Sequence, residues 1–166
     1  MSAKASKEDI LNQLERKAGD YEERSGSCAQ GTLLALQEQF HLGDASTLKA
    51  ATVMPGIALR GETCGAVIGS LMAIGLAYGR ENLDDWEQLL RALRPARRFC
   101  RKFEEEFGSL MCRNVHKLMV GKSFNLADPA EAEEFAKAGG AKKCRVPCEK
   151  AARIIGEIIM ETEKPT

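Results

Sequence analysis

The chain has 166 residues, and 24 Lys+Arg against 24 Asp+Glu leave it without net charge. That length fits one domain, 1–166, able to fold without disulfide staples, and the charge balance excludes a dedicated nucleic-acid binder, which carries a basic excess. Hydrophobic residues at 44% and charged residues at 29% exclude a disordered chain, while aromatics at 5% leave few platforms for stacking bases.

In chain order, Lys7 to Glu23 places Ile10, Leu11, Leu14 and Ala18 on one stripe and predicts a helix. Ser25-Gly26-Ser27 breaks it, and a second helix runs from Cys28 towards Gly43-Asp44, with a short one from Ala45 to about Val53. Pro55 to Gly61 reads as a Gly-rich loop. Cys64 to Tyr78 is apolar nearly all round, as a buried central helix is, and Gly79 stops it. Asp84 is expected to cap a long amphipathic helix through Phe107, kinked or split by Pro95. After Gly108-Ser109 a helix leads from Cys112 to Val120, and Asp128-Pro129 opens another that ends at Gly139-Gly140. The last is predicted from Pro147 to about Glu161. No period-two stretch competes, so the expected class is all-α: a compact multi-helix bundle. Met1–Asp9 lacks the apolar core of a signal peptide and the apolar run 66–78 is too short to span a bilayer, so the expected setting is the cytoplasm, without membrane insertion.

The six cysteines stand out, because thiols in that compartment stay reduced and serve metal or redox chemistry more than structural disulfides. Cys28, Cys64, Cys112 and Cys148 all fall at predicted helix starts. Unpaired N–H groups and the helix dipole there favour the thiolate, the form that binds metal or attacks disulfides. Four thiolates can complete an iron–sulfur or zinc coordination sphere, although no C-x-x-C supplies a local signature. Cys100, inside the long helix beside Phe99 and Phe103, reads as a buried structural thiol. Gly65 and Gly69 share a helix face, open to a close backbone or an inorganic group. His41 closes the second helix. His116, four residues after Cys112, reads as a partly exposed helical histidine, with a supporting or ligand role as the alternative. Gly121-Lys122-Ser123 lacks the upstream glycine and strand of a P-loop.

Ser27-Cys28-Ala29-Gln30, Arg60-Gly61-Glu62-Thr63-Cys64-Gly65-Ala66-Val67-Ile68-Gly69, Phe107-Gly108-Ser109-Leu110-Met111-Cys112, and Cys148 leading the final amphipathic helix together resemble the C_GCAxxG_C_C family of redox-active proteins. The chain is also similar to the iron–sulfur part of split-Soret cytochromes c, without their haem-attachment motifs. The resemblance implies Cys28, Cys64, Cys112 and Cys148 as the ligands of an iron–sulfur cluster, [2Fe–2S] before [4Fe–4S]. Cys144 departs from the pattern, either replacing Cys148 or standing by as a spare thiol. The implied role is one-electron transfer or redox sensing with a partner protein, with no independent catalytic reaction required and a homodimer left open. Two alternatives remain at this point: a metal-free thiol–disulfide oxidoreductase using Cys144/Cys148 or Cys28/Cys64, and a structural zinc protein with four thiolate ligands.

Overall fold

The computed structural model describes residues 6–162; most of the polar opening segment Met1–Asp9 lies outside them. The helices are α1 (Lys7–Ser25), α2 (Cys28–Phe40), α3 (Ala45–Ala50) running into a 3-10 turn (Ala51–Val53), α4 (Gly56–Leu59), α5 (Gly65–Tyr78), α6 (Trp86–Phe107), α7 (Cys112–Val120), α8 (Pro129–Lys137) and α9 (Gly140–Thr162). Among the described residues there is no strand, only an isolated antiparallel bridge between Thr63 and Met111. The all-α expectation holds. No helix of the described residues is long and apolar enough to cross a membrane.

Local chemistry sets the helix ends. Ser6 and Asp9 form a capping box at the start of α1, and Gly26 closes it in the left-handed conformation. Asp128 accepts from the N–H groups of Ala130 and Glu131, with Pro129 at the first helical position of α8. Asp85, rather than Asp84, caps α6, through the N–H of Gln88. α6 then runs unbroken past Pro95. Its Phe99, Phe103 and Phe107 stack at four-residue spacing, ring centroids 5.9 and 4.6 Å apart, and bury together. Packing of that stripe outweighs the one hydrogen bond the proline removes.

The start of α9 needs a larger correction. Pro147 does not open this helix; α9 begins at Gly140 and carries Pro147 inside it. The proline ring is fully buried, and the stripe Ala151, Ala152, Ile155, Ile158 and Ile159 seats α9 on α1 and α2. Tertiary burial, about 1.5–3 kcal/mol for each large side chain, carries the helix across a residue that local preference reads as a boundary.

The core lies between α1, α2, α5 and α9. Gly69 lets α2 and α5 approach: a Cβ there would stand 2.4 Å from the carbonyl oxygen of Ala29 and 3.2 Å from the Leu33 nitrogen. Arg145 and Arg153 of α9 tie down the outer edge of α1 through Asp20 and Glu23, and through Glu8 and Glu15. The close α2–α5 contact brings the first turns of these two helices, and hence Cys28 and Cys64, together.

Candidate functional site

Two short backbone segments hold the first pair of thiols. Residues 61–64 run beside 110–113: Cys64 N–H donates to the Leu110 carbonyl at 2.8 Å, and Cys112 N–H donates to the Glu62 carbonyl at 2.6 Å. Arg113 closes the ladder, its backbone N–H on the Gly61 carbonyl and its guanidinium on Glu62 at 3.2 Å. Cys64 is thereby the N-cap of α5, and Cys112 the first residue of α7.

Cys28 opens α2 behind its N-cap Ser27. Its sulfur lies over the first turn of α5, where it takes the Gly65 N–H and touches the Cys64 thiol. Only glycine fits at position 65, since a Cβ there would sit 2.4 Å from the Cys28 sulfur and 2.9 Å from the Ala29 nitrogen. From α9, the Cys148 sulfur lies 3.7 Å from the Cys28 carbonyl. Cys144, one turn earlier, points its sulfur at the Nε2 of His116, 3.7 Å away, and the Cys112 sulfur approaches the same nitrogen at 3.5 Å.

Beside these groups lies a partly enclosed pocket of about 100 Å³, room for about three waters. Cys28, Cys112, Cys144, His116 and Glu22 line it, together with Phe124 and Phe135. The rings of His116 and Phe135 are 4.6 Å apart, and Phe124 meets Phe135 edge-on at 5.4 Å. Cys64 and Cys148 lie behind Cys28, away from the lining. Among the described residues no group of three or more His, Cys, Asp or Glu stands close enough to hold a single metal ion.

The remaining wall is α4, which is not an ordinary helical turn. Gly56, Ile57, Ala58 and Leu59 all have positive φ, from 51° to 63°. Three consecutive non-glycine residues there cost roughly 1–2 kcal/mol each, and such strain gathers at functional sites. The turn brings Gly56 against the Cys112 sulfur, 3.4 Å from where a Cβ would stand.

Burial decides the protonation of the thiols. Cys112 is pushed up to about 12 by burial, helped by Cys28. Cys28 is held well above the ordinary thiol value by its contact with Cys64 and by burial, with the Gly65 N–H working the other way. Burial likewise raises Cys144 and Cys148. A helix N-terminus offers typically 0.3–1 kcal/mol, whereas three pKa units are about 4 kcal/mol. The expectation that helix starts favour thiolates therefore fails for Cys28 and Cys112.

Cys28, Cys64 and Cys112 stand at helix starts as the sequence predicts. Cys148 does not: it lies in the interior of α9, because that helix starts at Gly140. Cys100 sits apart, lining a groove between α5 and α6. His41 is the exposed left-handed cap of α2. His116 overturns its bland reading: it is 3% exposed, its Nδ1 has no partner among the described residues, and burial lowers its pKa. Glu22 was not foreseen. It is 4% exposed, its Oε2 has no partner among the described residues, and burial, with Glu23 nearby, raises it to about 7.

Buried and half-buried thiols thus gather around one pocket of an all-helical chain. The chain belongs to the family described as "Putative redox-active protein (C_GCAxxG_C_C)", which matches residues 26–158. No curated protein and no solved structure matches the chain, so the likeness to split-Soret cytochromes c rests on the sequence elements alone.

Proposed function

We propose that this chain holds an iron–sulfur cluster and exchanges single electrons with a partner protein, as a carrier or a sensor. The observation that carries the reading is the gathering of five cysteines, from the starts of α2, α5 and α7 and from α9, at or directly behind one partly enclosed pocket, with Cys28, Cys112 and Cys144 in its lining. Soft thiolates suit iron–sulfur clusters, zinc and cuprous ions. Around one zinc at about 2.3 Å the sulfurs crowd within roughly 4 Å of each other; the described residues offer no such grouping. A cluster places its own irons and sulfides between ligands, and the small cavity favours the smaller [2Fe–2S] core.

The proposed ligands are Cys28, Cys64, Cys112 and Cys148, following the family order. When bound, the cluster supplies the one-electron couple. The chain's own part is to hold it: Gly65 donates its N–H to the Cys28 sulfur, hydrogen bonding of a kind that tunes potential. Phe124 and Phe135 keep water out. One observation favours a variant of this reading, since Cys144 lines the cavity and Cys148 lies behind it; Cys144 then takes the fourth place.

The metal-free dithiol reading retains the touching pair Cys28/Cys64. Cys144/Cys148 is a poorer pair, its sulfurs aimed at His116 and at the Cys28 carbonyl. Anaerobic purification followed by iron and sulfide analysis and an absorption spectrum separates the readings. Visible bands with iron and acid-labile sulfide support the cluster, while iron-free, colourless protein overturns it. Cys28→Ser, Cys64→Ser and Cys112→Ser should each lose the bands and Cys100→Ser should keep them. Comparing Cys144→Ser with Cys148→Ser names the fourth ligand.

A further inference from the structure

Away from the thiols, the middle of α6 carries a concentration of charge that the cysteine site does not use. Between Gln88 and Phe103 this helix has Arg91, Arg94, Arg97, Arg98, Arg101 and Lys102 and not one carboxylate, in a chain of zero net charge. Arg91, Arg94, Arg98 and Arg101 recur at three- and four-residue spacing, so they share one face. Like charges at that spacing repel by a few tenths of a kcal/mol per pair.

All four line a groove of about 520 Å³ together with Tyr78 and Gln88, a volume in the range of small-molecule sites. Arg91 pairs with Glu87 at 3.2 Å and Arg98 with Glu161 at 2.6 Å. Arg94 and Arg101 have no carboxylate partner among the described residues. The Tyr78 hydroxyl is closed off from solvent and lacks a hydrogen-bond partner among the described residues, a position that costs about 1–3 kcal/mol. Gln88 is fixed between the Tyr78 carbonyl and the Arg91 Nε.

We propose that this groove binds a small phosphate-type oxyanion, free or as the charged end of a small phosphorylated molecule. The planar guanidinium fork takes phosphate oxygens two at a time. Arg94 and Arg101 supply uncompensated charge, and Arg91 and Arg98 can turn from their carboxylates. The inference is independent of the cluster.

The test titrates the full chain with sodium pyrophosphate by calorimetry in about 0.15 M salt, near physiological strength. Saturable one-site binding is expected. Arg94→Ala with Arg101→Ala, both exposed, should weaken it at least tenfold, and the surface control Lys137→Ala not at all. Far-UV dichroism and thiol titration should stay unchanged, which separates lost binding from lost fold. The proposal is overturned if no saturable binding occurs or if the double variant binds equally well. It also falls if a glutamate-rich peptide binds more tightly than pyrophosphate and loses that affinity in the same variant, which assigns the groove to a protein partner.

Discussion

Replacing Glu22 by Gln tests whether a buried carboxyl in the thiol cavity governs stability. Burial, with Glu23 adding to it and Arg145 opposing, lifts Glu22 from 4.5 to about 7. A folded value above the unfolded one means that the native state binds this proton more tightly. The contribution is therefore fully present below about pH 4.5 and drains away as pH rises through 7. At 1.36 kcal/mol per unit, the gap corresponds to about 3 kcal/mol. Glutamine keeps the shape and stays neutral. Urea unfolding of the metal-free, thiol-reduced protein from pH 4 to 8 should show wild type losing about 3 kcal/mol more than Glu22→Gln. His116 acts in the other direction, since its lowered pKa costs stability as pH falls below 6.5; it is common to both proteins and cancels in the difference. Parallel pH profiles for the two proteins would refute the reasoning.

Other perturbations probe the frame of the site. Gly69→Ala drives a methyl into the Ala29 carbonyl of α2, and because backbone cannot rotate away it should cost about 2–3 kcal/mol, read as a melting point lower by roughly 6–10 °C. Ala58→Gly, at φ 56° and ψ 38° on an exposed turn, should instead stabilise by about 1 kcal/mol, opposite to its effect inside an ordinary helix; a lowered melting point would contradict the strain. Phe103→Ala, which empties a fully buried site between Phe99 and Phe107, should cost about 3–5 kcal/mol in denaturant unfolding.

Much of the frame is legible in the sequence because punctuation and periodicity agree there. Ser27 before Cys28, Gly61 to Thr63 before Cys64, and Gly108-Ser109 before Cys112 all mark helix starts that the structure keeps. Pro147 misleads because a proline after Gly139-Gly140 carries the local signature of a helix start, while burial of its ring depends on α1 and α2, far away in the chain. Glu22 was within reach: it continues the spacing of Leu11, Leu14 and Ala18, so a carboxyl falls on the buried stripe. His116 shares a face with Cys112, but its burial comes from Phe124 and Phe135, which no local pattern connects to it. Nothing in Ile57-Ala58-Leu59 announces a left-handed turn, since these side chains ordinarily avoid that conformation.

The ordering of magnitudes at the thiols bears on which chemistry the cavity suits. Disulfide exchange requires an attacking thiolate, and at Cys28 and Cys112 the environment withholds it: burial pushes Cys112 up to about 12, a cost of about 4 kcal/mol, against 1 kcal/mol or less from a helix start. Glu22 and His116 do not reverse this, because the same burial that raises the thiols favours the neutral form of both. A bound metal cation does reverse it, since a coordinating thiol loses its proton outright. On the proposed reading, the burial that suppresses free-thiol reactivity leaves coordination to the cluster as the route by which these sulfurs become anionic. If the proposed cluster is loaded, one proton should therefore be released per ligand thiol, read as acidification of unbuffered solution, whether Cys144 or Cys148 is the fourth proposed ligand.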